Sequence, residues 1–255
     1  MDFMQKTIIV IPCYNESERL KVDQFNSLIQ QPNLELLFVN DGSNDNTEQQ
    51  LKEFIKKTAH GAHLLSLKIN SGKAEAVRQG MLQAINDGAT ITGFLDADMA
   101  TPVADVLRLR DEAIKKRYSV ILGSRVKLLG TNITRNPLRH YIGRVFATFA
   151  SIILHLPVYD TQCGAKLFAT SGLLKDVLAE PFQSRWVFDV ELIGRLLIGS
   201  KTFHPLTAID FVEVPLKEWT DIKGSKISFG DAIKVPIELI KIAIHLKGRR
   251  QKLTK

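Results

Sequence analysis

The chain has 255 residues, of which 45% are hydrophobic and 24% charged, so it can bury one large core like an ordinary globular protein. The sequence contains no apolar run of roughly 18 residues, as a transmembrane helix requires, and it does not begin with the basic and apolar segments of a signal peptide. Its two cysteines are too few for a disulfide framework. These features favour a cytoplasmic protein. The formal net charge is +7, and the segment from Lys234 to Lys255, with five Lys, two Arg and one Glu, supplies +6 of it, as is typical of segments that meet an anionic membrane surface or nucleic acid.

The first 125 residues alternate between strand and helix patterns. The predicted strands are Thr7–Ile11, Leu34–Val39, Ala62–Leu67, Ile91–Leu95 and Val120–Leu122. The predicted helices are Ser17–Gln30, Asp45–Lys57 (with Asp45 or Asn46 as N-cap), Lys73–Asn86 and Ala104–Lys116. This alternation predicts an α/β fold with a mostly parallel, Rossmann-like sheet that carries helices on both faces.

The alternation stops after Pro137. The predicted elements that follow are a helix at Leu138–Leu156, a polar loop at Asp160–Lys166, helices at Gly172–Leu178 and Phe188–Leu197, a strand at Ala208–Val214 and an amphipathic helix at Phe229–Leu246. We therefore predict one domain over residues 1–228 and a C-terminal amphipathic, basic elaboration over residues 229–255.

Two carboxylates, Asp96 and Asp98, stand directly after the predicted strand Ile91–Leu95. They would repel each other unless a positive charge lay between them, and a divalent cation such as Mg²⁺ or Mn²⁺ takes oxygen ligands while keeping positions open for phosphate oxygens. The pair therefore predicts a metal site for a nucleoside diphosphate, with Asp98 as a catalytic residue. Gly-x-Gly and Walker-type phosphate loops are absent from the sequence, which also favours the metal.

Polar clusters follow three other predicted strands, and parallel strands bring such ends to one edge of a sheet. Tyr14 could stack on a base, Asp41 could accept hydrogen bonds from a base or ribose, and Lys73 could offset phosphate charge. Each cluster alone is more often a turn than a site. The candidate nucleotide-binding residues are Pro12, Tyr14, Asn15, Glu16, Asp41, Ser71, Gly72, Lys73, Asp96 and Asp98.

Three of these motifs resemble the signature of family 2 glycosyltransferases with the GT-A fold. They are Ile11-Pro12-Cys13-Tyr14-Asn15-Glu16, Val39-Asn40-Asp41-Gly42-Ser43-Asn44-Asp45 and Asp96-Ala97-Asp98. The resemblance implies a nucleotide-sugar donor and a single in-line displacement that inverts the anomeric carbon.

Later motifs resemble the dolichyl-phosphate or polyprenyl-phosphate glucosyltransferase branch. They are Gly72 to Met81, Gly123-Ser124-Arg125, Asp160 to Phe168, Trp186 to Glu191, and Trp219 with Gly224-Ser225-Lys226. Ala74 departs from the branch's second glycine. Ala100-Thr101 stands where mannosyl synthases usually place Gln, which favours UDP-glucose over GDP-mannose.

The acceptor decides whether a base is needed. A lipid phosphate is already anionic and requires only cations, for which Arg125, Arg139 and Lys166 are the candidates. A sugar hydroxyl would require a carboxylate base, which Asp160 or Asp189 could supply. Asp160 and Gln162 are the further catalytic candidates, and the alternative interpretation is that they only shape a loop.

Two segments are candidates for contact with a membrane surface. The apolar residues of 229–255 run directly into basic ones, and residues 138–156 carry Phe146, Phe149, Ile152 and Ile153 with arginines nearby. The alternative for both is an ordinary helix packed on the domain.

The preferred prediction is a peripheral enzyme on the cytoplasmic face of a membrane that moves glucose from UDP-glucose to a polyprenyl phosphate, with no nucleic-acid partner. Three alternatives remain open: a GDP-mannose-dependent mannosyltransferase, a transferase with a polysaccharide or soluble acceptor, and a non-catalytic membrane or nucleic-acid binding module. A nucleotidyltransferase is disfavoured because its Gly-rich N-terminal loop is missing. The oligomeric state stays open.

Overall fold

The computed structural model describes residues 5–58, 60–115, 117–134, 137–220 and 229–253, and for residues 137–140 and 229–235 it describes the backbone alone. The strands are β1 Thr7–Cys13, β2 Leu34–Asp41, β3 Ala62–Leu67, β4 Ile91–Leu95, β5 Val120–Ser124, β6 Asn132–Thr134, β7 Ala165–Ala169, β8 Phe211–Pro215 and β9 Glu218–Thr220. The helices are α1 Asn26–Ile29, α2 Thr47–Lys57, α3 Lys73–Asn86, α4 Val103–Ile114, α5 Pro137–Leu154, α6 Gly172–Ala179, α7 Phe188–Ile198 and α8 Phe229–Leu253.

Seven strands form one sheet in the order β3-β2-β1-β4-β7-β5-β8. The β1 strand pairs in parallel with β2 and β4, and β2 pairs in parallel with β3. The register places Cys13 opposite Asn40 and Asp41 opposite Leu67. The ends of these four strands therefore lie side by side, and the predicted mostly parallel α/β sheet is confirmed.

Both faces of the sheet are covered by helices. Ile8 and Val10 of β1 join a buried cluster with residues of α3, α6, α7 and α8, while Ile9 and Ile11 join a second cluster with residues of α1, α2 and α4. A strand buried on both faces has no polar alternation, which explains the continuous apolar run of β1.

The loop predicted at Asp160–Lys166 is only partly a loop, because β7 begins at Ala165 and lies antiparallel between β4 and β5. This strand was not predicted, because Lys166 lies within it and a lysine is rarely buried. Here Lys166 is 1% exposed.

The helix predicted over Ser17–Gln30 is wrong in extent. A 3₁₀ turn covers Val22–Phe25 and only the short α1 follows. The start of the segment is held elsewhere, because the backbone N–H of Ser17 donates to the Asp45 carboxylate at 3.1 Å and that of Glu16 donates to Thr47 Oγ1 at 2.8 Å.

The strand predicted over Ala208–Val214 is also wrong in extent. A 3₁₀ turn covers Ala208–Asp210, and β8 begins after it. The short parallel pair of β6 and β9 was not predicted.

The helices α5 and α8 each bury one face on the domain and expose another. The residues they bury are Ala147, Ala150, Leu154, Leu239, Ile242 and Leu246. The large apolar residues they expose are Tyr141, Ile142, Val145, Phe149, Ile152, Ile237, Ile240 and Ile244. None of the helices in the described part of the chain is both long and apolar enough to cross a bilayer. The division between residues 1–228 and 229–255 remains a prediction.

Candidate active site

The carboxylates of Asp96 and Asp98 lie in a tight turn after β4. The backbone N–H of Asp96 donates to Gly164 O at 2.9 Å, that of Met99 donates to Asp96 O at 3.2 Å, and that of Ala100 donates to Asp98 Oδ1 at 3.1 Å. Met99 adopts a φ of 52°, a conformation that few non-glycine residues take. Burial, followed by the negative charge of Asp96, raises the pKa of the Asp98 carboxyl above its ordinary value.

Lys73, the first residue of α3, places its ammonium at this pair. Its Nζ lies 2.5 Å from Asp96 Oδ1. Burial alone would lower the pKa of Lys73, but the charges of Asp96 and Asp189 outweigh it and raise the pKa above the ordinary value. The charge predicted between the two carboxylates is a divalent cation, which stays a prediction; the Lys73 ammonium adds a positive charge beside Asp96 from within the chain.

Asp41, at the end of β2, organises the loop that leads into α3. It is 2% exposed, and its carboxylate accepts hydrogen bonds from the backbone N–H groups of Ser71 and Gly72, each at 2.8 Å, and from Asn70 Nδ2 at 3.0 Å. A carboxylate has about four acceptor sites, so three of them are used within the chain. We call residues 70–73 the donor loop.

The residues after β1 are tied to the residues after β2. Asn15, with a φ of 47°, accepts at Oδ1 from the backbone N–H of Asn44 at 2.8 Å, and its own N–H donates to Ser43 Oγ at 3.0 Å. Glu16 is buried and forms a bidentate pair with Arg19, with Nε···Oε2 at 3.0 Å and Nη2···Oε1 at 2.9 Å. Pro12 and Tyr14 are half-buried in the same stretch. Pro12, Tyr14, Asn15 and Glu16, four of the predicted nucleotide-binding residues, therefore lie at the edge of the sheet where Asp41 also lies.

Arg125, directly after β5, forms a bidentate pair with Asp160. Arg125 Nε and Nη2 donate to the two carboxylate oxygens at 2.7 and 2.9 Å, and the backbone N–H of Arg125 donates at 3.0 Å. Burial alone would raise the pKa of Asp160, but the positive charge of Arg125 and its hydrogen bonds outweigh burial and hold that pKa well below its usual range. The Asp160 carboxylate also accepts from the backbone N–H of Gln162 at 3.1 Å. Asp160 and Gln162 therefore share one tightly bonded loop.

Lys166 and Asp189 form a second ion pair, with Nζ···Oδ1 at 2.7 Å and side chains 1% and 6% exposed. The Lys166 ammonium also donates to Cys163 O. Burial raises the pKa of the Asp189 carboxyl, against the lowering effect of the Lys166 charge. The ammonium predicted to contact an acceptor phosphate thus has two internal partners, and that role remains a prediction. The side chain of Arg139 lies outside the described residues.

Three charged residues of this region were not singled out from the sequence. The charge of Arg19 weakly opposes the burial that raises the pKa of Asp98, and Glu213 of β8 accepts hydrogen bonds from the backbone N–H groups of Tyr159 and Asp160 at 2.7 and 2.8 Å. Arg185 Nη2 donates to Asn70 Oδ1 at 2.6 Å. Only Arg185 carried a sequence signal, since it directly precedes the Trp186-to-Glu191 motif.

A divalent cation would find an incomplete set of protein ligands here. Within the described ranges, no group of three or more His, Cys, Asp or Glu side chains could hold a metal. Asp96 and Asp98 supply two carboxylates, and Mg²⁺ and similar ions are commonly held by one or two carboxylates together with substrate phosphates. The donor set therefore fits a cation that binds jointly with a diphosphate.

Residues 8–173 match the sequence model of Glycosyl transferase family 2. The chain belongs to glycosyltransferase family 2. Among curated relatives, dolichyl-phosphate beta-glucosyltransferase ALG5C of Trichomonas vaginalis is 31% identical over 95% of this chain and 72% of its own length. Dolichyl-phosphate beta-glucosyltransferase of Saccharomyces cerevisiae is 32% identical over 91% of this chain and 72% of its own length. The predicted resemblance to this branch is confirmed, and the chain is a nucleotide-sugar-dependent glycosyltransferase.

The fold comparison agrees with this family. Glucosyl-3-phosphoglycerate synthase from Mycobacterium tuberculosis, solved with Mn²⁺, UDP-glucose and phosphoglyceric acid, superposes with a TM-score of 0.68 at 17% identity and covers 94% of this chain and 80% of that one. The likeness confirms the GT-A fold. Because the chain is a family 2 transferase, the non-catalytic module and the nucleotidyltransferase are set aside.

Proposed function

We propose that this family 2 glycosyltransferase moves glucose from UDP-glucose to a polyprenyl phosphate, with inversion and with a divalent cation, at the cytoplasmic surface of a membrane. The names of its relatives support a lipid-phosphate acceptor and glucose. The Mn²⁺ and UDP-glucose bound by the structurally similar synthase support the donor and the cation.

The donor side follows from the turn after β4. Asp96 and Asp98 would hold the cation, whose charge, when bound, would offset the charge that builds on the departing diphosphate. The donor loop, which Asp41 holds by three hydrogen bonds, would seat the nucleotide. Lys73 would stay beside Asp96 and add a second positive charge near the leaving group.

The observation that carries the acceptor assignment is that both carboxylates on that side are already paired. Asp160 is bonded to Arg125 and has a depressed pKa, which makes it a weak base. Burial raises the pKa of Asp189, but its carboxylate is held in an ion pair with the Lys166 ammonium. A sugar hydroxyl would need one of them free to take its proton. A phosphate acceptor needs no base, because its oxygen is already anionic, and this favours a lipid phosphate over a polysaccharide or a soluble sugar.

The cations for that phosphate would be Arg125 and Arg139. The Nε–Nη2 edge of the Arg125 guanidinium is bonded to Asp160, so the remaining N–H groups, on Nη1, would donate to a phosphate oxygen. Lys166 would not contact the phosphate itself and would instead hold Asp189 through their ion pair.

Membrane contact would come from the exposed apolar faces of α5 and α8. Ile237, Ile240 and Ile244 are 54–66% exposed, and the basic residues Lys247, Arg250 and Lys252 follow on the same helix. Apolar area followed by basic residues is the pattern of helices that lie on anionic bilayers.

The test is a product assay. The protein is incubated with a short polyprenyl phosphate, Mn²⁺ and each of a panel of nucleotide sugars, and the product is extracted into organic solvent and weighed by mass spectrometry. We expect glucosyl-phosphoprenol from UDP-glucose. Asp98→Ala should retain less than about a tenth of the rate, since losing stabilisation of transition-state charge costs several kcal/mol, with an unchanged circular dichroism spectrum. Transfer from GDP-mannose alone, or to a water-soluble acceptor alone, would contradict the proposal.

A further inference from the structure

The segment between α6 and α7 connects helix α8 to the donor loop. Ser184 is 3% exposed, and its hydroxyl donates to Glu238 Oε2 of α8 at 2.6 Å. The same hydroxyl accepts from the backbone N–H groups of Trp186 at 3.2 Å and Val187 at 2.8 Å. The backbone on both sides of Arg185 is thereby fixed from α8.

Arg185 lies against the donor loop. Its Nη2 donates to Asn70 Oδ1 at 2.6 Å, and its carbonyl accepts from the backbone N–H of Ala74 at 3.3 Å. A Cβ on Gly72 would overlap the Arg185 guanidinium, so the missing side chain of Gly72 allows this contact. Gly72 has a φ of 96°, which also favours glycine.

The charge of Arg185 has no direct counter-charge in the described part of the chain. None of the ion pairs found among the described residues includes Arg185, and of its five N–H donors one is bonded to the neutral amide of Asn70. The side chain is exposed, and its positive charge opposes the burial that raises the pKa of Asp41, the residue that organises the loop. If Arg185 only supported the loop structurally, its guanidinium would not need to be exposed with further N–H donors. An anionic ligand at the loop would use both the positive charge and those donors.

We propose that Arg185 binds the diphosphate of the nucleoside diphosphate seated at the donor loop, and that Ser184 and Glu238 position it from α8. This inference rests on the proposed function, because it takes a nucleotide sugar as the donor. It makes Arg185 a substrate-binding residue and Glu238 a positioning residue of the same site.

Calorimetric titration with UDP in the presence of Mn²⁺, without acceptor, tests the role of Arg185. We expect Arg185→Ala to raise the Kd for UDP at least tenfold, and Arg185→Lys to fall between it and the wild type because the charge remains without the fork. The matched control is Arg117→Ala, which removes an exposed arginine packed on Tyr118 and should stay within twofold.

If the wild type binds UDP and Arg185→Ala binds it with the same Kd, this inference is overturned and the proposed function is not. Absence of UDP binding by the wild type would overturn the proposed function together with it. Uridine, measured by NMR titration, separates a phosphate contact from a damaged loop. We expect Arg185→Ala to change uridine affinity less than twofold, and an equal loss for uridine and UDP would also overturn the inference.

A double-mutant cycle tests the role of Glu238. Glu238→Ala should raise the Kd for UDP about threefold, whereas Glu238→Gln, whose amide oxygen can still accept from Ser184, should stay near the wild type. The double variant Arg185→Ala/Glu238→Ala should bind no more weakly than Arg185→Ala alone, because Glu238 acts through Arg185. If the fold increases in Kd of the two single variants multiply in the double variant, Glu238 acts independently of Arg185 and the positioning role is overturned.

Discussion

Replacing Asp160 with Asn tests whether this residue organises the loop or acts as a base. In the structure, its carboxylate accepts four hydrogen bonds, three from Arg125 and one from the backbone N–H of Gln162. The pair is largely buried, with Asp160 8% and Arg125 15% exposed. Removing one partner of a buried pair costs about 3–5 kcal/mol, because the other charge is left without compensation.

We take about 3 kcal/mol for Asp160→Asn, since Arg125 keeps some solvent access. For a chain of this size, each kcal/mol shifts Tm by about 2 °C, so we expect a loss of about 6 °C in calorimetry. The folded-state pKa of Asp160 is depressed, so its stabilisation is present above the unfolded pKa of about 3.9 and is lost as pH falls below it. The gap between wild type and variant should therefore narrow below about pH 4.

The matched control is Glu112→Gln, which breaks the Glu112–Lys115 pair, whose side chains are 31% and 62% exposed. Exposed pairs contribute about 0–1 kcal/mol, so Tm should change by less than about 2 °C. If Asp160→Asn changed Tm no more than this control while abolishing transfer, the residue would be acting as a base and our reasoning about the loop would be refuted.

Three further changes test the surroundings of the Asp pair and the membrane contact. Gly164→Ala should abolish most transfer, because the new Cβ would overlap the Asp96 carboxylate, whereas Gly248→Ala, with open space around it, should leave the rate unchanged. Asp96→Asn should lower the pKa of Asp98, followed by NMR of the carboxyl carbon in the metal-free protein, because it removes a neighbouring negative charge; a raised pKa would contradict the assigned cause. Ending the chain after Leu246 should weaken sedimentation with anionic vesicles by about 1 kcal/mol per basic residue removed, and equal sedimentation would exclude the tail as an anchor.

The sequence was informative where local pattern and tertiary environment agree. The continuous apolar run of β1 predicted a buried strand, and the polar residues after four strands were correctly predicted to lie at one edge of a parallel sheet. The pattern failed where long-range contacts decide the structure. Lys166 made β7 resemble a loop, because the buried Asp189 that pairs with it is distant in the chain.

The roles of individual side chains were also hidden from the sequence. Asp41 was predicted to accept hydrogen bonds from a base or ribose, and that role stays a prediction; the sequence did not show that three of its acceptor sites hold the donor loop. Arg185 was passed over because its contact with Asn70 spans 115 residues of chain. Sequence spacing identifies residues near a site, but partners that are brought together by the fold determine what each residue does.

The most direct test of the account is the metal dependence of donor binding. UDP-glucose is titrated calorimetrically into the wild type and into Asp98→Ala, once with Mn²⁺ and once with EDTA. We expect the wild type to bind at least about tenfold more tightly with Mn²⁺, a difference of about 1.4 kcal/mol, and the variant to show no metal effect. Equal affinity of the wild type with Mn²⁺ and with EDTA would contradict the claim that Asp96 and Asp98 hold a cation at the donor diphosphate.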